Sequence, residues 1–194
     1  MNNYKTIHGF NDDEVVSALQ KQIRRGIEDD AMYWALELCE NGKNKNGFIL
    51  LKNRLYTIAY EDIGLGDPSN VLNVSIAIRD MEKMYKKEHE SWKLILSYII
   101  LTLCRSKKSR ITDDFYQYIN YIWNNKKPEE MELEIPDYAL DMHTKKGNKK
   151  GRKKNTINGL KHFLEHGIYI ENENEEIENI YKSQVREIWL KTKK

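Results

Sequence analysis

Proline is nearly missing from this chain, and so are cysteine and long hydrophobic runs. With 3 Pro and 10 Gly in 194 residues, the turn punctuation that a sandwich of many short strands needs is lacking, which favours long helices. The 2 cysteines, Cys39 and Cys104, lie far apart in apolar runs with no C-x-x-C spacing. That excludes a disulfide scaffold, a zinc knuckle and a redox motif, and it fits two reduced core thiols in a cytoplasmic protein. The longest apolar stretch, Leu94–Cys104, is too short to span a bilayer, and Met1–Phe10 lacks the apolar segment of a secretory signal. No membrane partner is expected. Charge of one sign is lacking too. The 32 basic and 30 acidic residues leave a net +2, so any case for nucleic acid must rest on local charge. A hydrophobic content of 40% with 32% charged residues is too apolar for disorder and too charged for a membrane protein.

What is present is helical periodicity, with no convincing period-two strand. Asn11 precedes an amphipathic run as N-cap, with Glu14 in capping-box position. Val15, Val16, Leu19 and Ile23 form its apolar face, and Arg24-Arg25-Gly26 closes it. Asp29-Asp30 opens a second helix with Met32, Ala35, Leu36 and Cys39 inward, ended by Asn41-Gly42. A third runs from Gly47 to Glu61 on Phe48, Leu51, Leu55, Ile58 and Ala59. Two glycines break it, and Asp67-Pro68 restarts the chain as N-cap and first helical residue. Val71, Val74, Ile78, Met81 and Tyr85 then make one seam. Ser91–Arg105 is apolar almost all round and is expected at the bundle centre. After a Lys107-Lys108-Ser109 loop, a sixth helix over Asp113–Asn124 should turn Phe115, Ile119, Ile122 and Trp123 inward.

Composition changes after Asn124. Residues 129–137 are acidic, residues 144–154 carry seven cations and no acid, and Glu171–Glu178 is acidic again. A last amphipathic helix carries Ile177, Ile180, Tyr181, Val185, Ile188 and Trp189. The expected organisation is a tail over 1–10, an all-α helical bundle over 11–125, and a charge-segregated, partly helical extension over 126–194.

The residues of the bundle carry a resemblance. Ser17–Gly26 leads into Asp29-Asp30-Ala31-Met32-Tyr33-Trp34. Arg54-Leu55 and Ala59 precede Glu61-Asp62-Ile63-Gly64-Leu65-Gly66-Asp67-Pro68, and Leu101–Ser109 ends in Lys107-Lys108-Ser109. In this order and at these intervals they resemble the C-terminal, post-ATPase region of the RarA/MgsA family of AAA+ ATPases, which includes the Werner-helicase-interacting protein. The likeness spans roughly residues 11–124, and residues 129–194 do not resemble the usual family ending. It implies an all-helical region that serves oligomerisation, commonly into tetramers, in a protein acting at stalled replication forks and single-strand gaps. No G-x-x-x-x-G-K-[ST] loop or Walker-B-like strand accompanies it, so the chain resembles the family's tail without its motor.

Several residues are singled out for function. The family motif Arg54, Glu61, Asp62, Gly64, Gly66, Asp67 and Pro68 is expected to be a structural corner or an interface. Its glycines permit unusual backbone angles, Asp67 caps a helix, and Glu61–Asp62 can bind Arg24 or Arg54. Lys145, Lys146, Lys149, Lys150, Arg152, Lys153 and Lys154, with Gly147 and Gly151 between them, read as a flexible polycation. Such a run neutralises phosphates with steep salt dependence, and Trp123 and Tyr138 offer rings for base stacking. The same run can instead pair with its acidic flanks. His162-Phe163-Leu164-Glu165-His166 matches H-x-x-E-H, in which two histidines one turn apart hold zinc and the glutamate acts as base. Its third ligand would come from Glu171–Glu176. Asp141 and His143 could pair as acid and base, with no nucleophile beside them. The stripe Val71, Val74, Ile78, Met81 and Tyr85 and the run Leu94–Cys104 read most simply as core; were part of them a subunit interface instead, Met84, Tyr85, Trp92, Ile188 and Trp189 are where it would lie.

The expected function is a non-enzymatic, oligomerising module of DNA replication or repair, without catalytic residues, metal or cofactor. Its partners would be itself, a AAA+ ATPase and DNA. The alternatives are a small zinc-dependent hydrolase built on His162, Glu165 and His166, and an inhibitor of a host replication ATPase.

Overall fold

A computed structural model describes residues 5–39, 46–173 and 179–191. The chain divides into two compact units, Met1–Asn125 and Lys126–Lys194. The fold is all-α. Among the described residues there is no strand, only an isolated antiparallel bridge between Lys5 and Asn11.

The first unit holds α1 (Asp12–Arg25), α2 (Glu28–Cys39), α3 (Gly47–Ile58), α4 (Pro68–Lys86), α5 (Ser91–Arg105) and α6 (Ile111–Asn125). Leu19, Ile23, Leu38, Leu51, Leu55, Ile58, Ile78, Met81, Leu96 and Ile99 are fully buried in one core. Each such side chain adds about 1.5–3 kcal/mol of burial. Gly26 closes α1 in the left-handed conformation, and its N–H returns to Ile23 O. Asn11 occupies the N-cap of α1, but its side chain makes no cap bond. Asp13 instead accepts from Glu14 N at 2.8 Å, and three acids in the first turn complement the helix dipole.

Residues 5–11, expected as part of a tail, fold against α2. Buried Glu37 accepts from the His8 backbone N at 3.1 Å and pairs with His8 Nδ1 at 2.5 Å. Phe10 meets Trp34 edge to face at 5.3 Å. Along α2 the buried set is Ala31, Ala35, Leu38 and Cys39, with Met32 and Leu36 only partly buried against the core. The stripe is thus rotated from the expected one, because Leu38 rather than Leu36 faces the bundle. The Asn41-Gly42 ending lies outside the described residues.

Two helices depart further from expectation. α5 packs against α4, α1 and α2, which leaves its fourth side open. Leu94 is therefore 74% exposed, and Tyr98 and Leu101 are exposed beside it. α6 packs on the turns that follow α3, not into the bundle. Only Ile122 is buried on it, while Phe115, Ile119 and Trp123 face outward, Trp123 at 79%.

The second unit contains α7 (Lys145–Lys149), α8 (Ile157–His162) and α9 (Lys182–Lys191), with 3₁₀ turns at Pro128–Met131 and Asp137–Ala139. Among its described residues the buried ones are few: Leu140, Gly147, Gly159, Leu160 and Leu164. Ile177 lies outside the described residues.

Candidate functional site

The Glu61–Pro68 stretch forms a corner that joins four helices. After Ile58 the chain widens into a π-helical turn over Ala59–Ile63, then a 3₁₀ turn over Gly64–Gly66. Asp62 ends up 1% exposed. Its carboxylate accepts from Gln20 Nε2 at 2.9 Å, Arg24 Nε at 2.6 Å and Arg110 Nη1 at 3.2 Å. Its backbone oxygen accepts from Ser109 N at 2.9 Å. Glu61 takes Arg24 Nη2 at 2.7 Å and Arg110 Nη1 at 2.9 Å. A buried carboxylate is tolerable only with such complete pairing. Burial works to raise the Glu61 pKa. Hydrogen bonds from Arg110 and Gln20, with the charges of Arg24 and Arg110, outweigh it and hold the carboxyl below its ordinary value.

The glycines are required by close approach. Gly64 has φ +46°, and a Cβ there would lie 2.9 Å from Thr112 Oγ1. At Gly66 a Cβ would lie 2.8 Å from the Lys108 carbonyl carbon. The Lys107–Ser109 loop therefore lies directly on the Gly64–Gly66 turn. Lys108 Nζ caps the end of α5 by donating to Cys104 O at 2.8 Å and Ser106 O at 3.1 Å. Asp67 caps α4, accepting from Asn70 N at 3.2 Å, and Pro68 starts the helix.

Of the sequence-selected residues, Arg24, Glu61, Asp62, Gly64, Gly66 and Asp67 meet in this corner. Arg54 does not reach the acids: its Nη1 donates to Gln20 Oε1 at 3.2 Å. Gln20 and Arg110 are the participants that sequence reasoning missed. Gln20 sits one turn before Arg24 on the same face of α1, which is the signal that could have revealed it. A tyrosine-lined hollow of about 410 Å³ adjoins the corner, with Tyr56, Tyr60 and Tyr116 around Glu61 and Asp113.

The basic run is more ordered than a flexible polycation. Thr144 and Thr156 cap α7 and α8, each accepting through its hydroxyl from the backbone N of Gly147 and Gly159. Those glycines press on chain: a Cβ at Gly147 would lie 1.8 Å from Asp141 O, and at Gly159 2.2 Å from Lys153 O. Arg152 donates to Leu140 O at 2.9 Å and, with Lys150, pairs with Asp137 at 2.5 Å. Hydrogen bonds from Arg152 and Lys150 hold the Asp137 carboxyl well below the usual carboxylate range. Lys145, Lys146, Lys149, Lys153 and Lys154 are exposed and make no ion pair with a described residue. The run is thus split: two cations stabilise the unit, and five face solvent.

The H-x-x-E-H residues straddle α8 and a π-helical turn over Phe163–Gly167. The His162 and His166 rings lie 5.0 Å apart, and His162 Nε2 is 3.8 Å from Asp137 Oδ2. Glu165 is largely exposed. Among the described residues, no group of three His, Cys, Asp or Glu side chains is arranged to hold a metal ion. Residues 174–176 of the expected third-ligand run lie outside the described residues. Asp141 accepts from His143 N at 2.9 Å and meets its Nδ1 at 3.1 Å. This is a local turn with no nucleophile in contact.

The expected interface residues separate. Trp92 is buried, and Tyr85 stacks on Phe48 at 3.7 Å and meets Trp92 at 5.5 Å. These rings tie α3 to the α4–α5 turn. Met84 is partly buried against the same core. Ile188 and Trp189 are exposed on α9.

Fold and corner together define an all-helical scaffold locked by buried charge, with no nucleotide-binding loop in its sequence. The chain belongs to the family of MgsA AAA+ ATPase C-terminal regions, whose sequence model matches residues 27–191. It is 34% identical over 96 residues to Replication-associated recombination protein A of Bacillus subtilis (strain 168), a stretch covering 50% of this chain and 21% of that protein. The chain thus spans about a fifth of that relative's length. The family match also corrects the sequence reading, which ended the likeness at 124. It continues through the second unit to 191. Surface charge runs say little about the buried positions that define a fold, and those of the second unit are few and widely spaced. Among the described residues no helix is long and apolar enough to cross a membrane.

Proposed function

We propose that the chain is a non-enzymatic assembly module of DNA replication or repair, which associates with itself and with a AAA+ ATPase of its own family. The observation that carries this reading is the family match over residues 27–191. The name of the Bacillus subtilis relative, Replication-associated recombination protein A, supports the process. Apolar side chains left outside the core, on α4, α5 and α6, are what an assembly module needs and a lone monomer avoids. Such a module sets subunit number and lets individually weak contacts act together. Inhibition of a host ATPase would use the same shared surface. Absolute mass by light scattering at moderate salt tests the reading. A closed oligomer such as a tetramer supports it, and a monomer of 23.1 kDa at every concentration overturns it.

A second contact, with nucleic acid, is favoured by the five solvent-facing lysines Lys145, Lys146, Lys149, Lys153 and Lys154. Binding to a single-stranded oligonucleotide would weaken with salt at a log–log slope of up to roughly −3.5 for five phosphates neutralised. Changing these five to Ala should flatten that slope. Replacing Arg152, which also donates to the Leu140 carbonyl, acts mainly on the fold of the unit. An unchanged slope in the five-lysine variant refutes the contact. The zinc-hydrolase alternative has no such support: among the described residues no group of three His, Cys, Asp or Glu side chains is arranged to hold a metal ion.

A further inference from the structure

The tyrosine-lined hollow beside the corner is left open by the packing that locks the bundle. Its volume of about 410 Å³ falls in the range of small-ligand sites. Three rings from three elements wall it: Tyr56 from α3, Tyr60 from the π-helical turn and Tyr116 from α6. Tyr56 is half-buried, whereas Tyr60 and Tyr116 are 54% and 60% exposed. Rings used for packing in this unit are stacked, as Tyr85 is on Phe48. A π-helical turn is itself a geometry frequent at functional sites.

The charges of the wall select the guest. Glu61 and Asp113 are its charged residues, and no Lys or Arg side chain lines it. The cations nearby are engaged elsewhere or behind these acids. Arg24 binds Glu61, Arg110 binds both acids, Arg54 turns to Gln20, and Lys108 is drawn to the end of α5. Lys107 on the adjoining loop and Asp114 on α6 are exposed, and neither lines the hollow. Arg110 shows what the two acids accept, since its guanidinium bridges them through Nη1 and Nη2. Asp113 uses Oδ2 for this bond, and its Oδ1 takes no donor among the described residues. A phosphate or an acidic peptide would meet two carboxylates and no cation in the wall. A guanidinium suits both halves of the lining. Its planar face stacks on tyrosine rings, and its N–H fork reaches carboxylate oxygens. An ammonium is more strongly hydrated and has no plane to stack.

We propose that this hollow docks an arginine side chain carried on an exposed segment of a partner protein. The faces of Tyr60 and Tyr116 stack on the guanidinium, and Asp113 Oδ1 accepts from it. This goes beyond the assembly reading and stands without it. One side chain binds weakly by itself, so the hollow adds selectivity to a larger contact.

The test uses the whole chain with isotope-labelled tyrosine rings, observed by NMR. The probe is acetyl-Gly-Arg-Gly-amide, titrated to about 20 mM because a lone side chain gives little affinity. The ring signals of Tyr60 and Tyr116 should move saturably. Those of Tyr118, exposed on the same helix but outside the hollow, should not. The same peptide with citrulline, which keeps the shape and lacks the charge, should bind at least about tenfold more weakly. The lysine peptide should bind about two- to fivefold more weakly than the arginine one. Y60A and Y116A should each weaken arginine binding by about two- to fivefold, the contribution of one ring. Both should keep the wild-type circular dichroism, because both side chains are exposed. Y118A should bind as wild type. Absence of saturable shifts at Tyr60 and Tyr116, equal binding of the citrulline or lysine peptide, or wild-type affinity in both Y60A and Y116A overturns the proposal. None of these outcomes depends on the mass that tests the assembly reading.

Discussion

The corner at Glu61–Pro68 and the basic segment at Lys145–Lys154 both combine glycines, capped helix starts and ion pairs, yet they use charge oppositely. In the corner, Asp62 is buried and receives three side-chain donors, two from α1 and one from the Arg110 loop. In the basic segment, Asp137 is 57% exposed on its side chain and ties down two cations of its own neighbourhood. A buried carboxylate makes its partners mandatory, because any donor removed leaves uncompensated charge in a poor solvent. An exposed one is screened by water, and its pairs contribute little. The corner is therefore where the first unit is fragile. The basic segment draws its order from glycine packing and threonine caps.

That contrast can be broken most sharply at Asp62. Asp62→Ala should destabilise the first unit by about 3–5 kcal/mol, leaving Arg24 and Gln20 without their buried acceptor. Urea unfolding followed by circular dichroism reads the loss. A cost near that of a surface pair would mean that the corner is not a charge lock. Gly159→Ala is the counterpart in the second unit. Its Cβ would meet Lys153 O at 2.2 Å, and overpacking against backbone should cost roughly 1–3 kcal/mol. Hydrogen exchange should rise over α7 and α8 while the first unit stays protected.

Acid supplies the next test. The Glu61 carboxyl is held below its ordinary value of 4.5. Its contribution is therefore fully present above about 4.5 and is lost as pH falls through the lower folded value. Melting of the first unit should drop in that window, and Glu61→Gln should flatten the drop. The smallest effect is expected at Asp137→Asn. Its carboxyl is lowered in the same direction by Arg152 and Lys150, but solvent exposure should leave melting of the second unit almost unchanged. A large drop there would erase the distinction between the two regions.

Much of the corner was legible in the sequence because its requirements are local. Asp67-Pro68 can only start a helix well, and Gly64 and Gly66 mark backbone that a side chain would obstruct. Arg24 and Arg54 were equally foreseeable partners of Glu61–Asp62; the fold takes Arg24 and sends Arg54 to Gln20. The basic run was legible as charge but not as structure. Nothing in its composition says that Arg152 turns inward to the Leu140 carbonyl while Lys153 and Lys154 do not. Trp92 and Tyr85, open to either a core or an interface reading in the sequence, are core for a related reason: an aromatic ring at helical spacing looks the same whether it faces core or solvent.

The sequence by itself determined the helical class, the breaks between helices and the buried seam of α4. Periodicity, caps and glycines act over a few residues, and the chain carries them wherever it goes. Only the tertiary structure decided which apolar faces are covered. α5 is apolar on more sides than its neighbours can bury, and α6 carries an apolar stripe that the turns packed on it leave largely exposed. Coverage depends on how many elements surround a helix, a property of the whole arrangement that no local pattern encodes. The outward faces of Leu94, Tyr98 and Leu101 became visible for that reason only once α1, α2 and α4 were in place around α5.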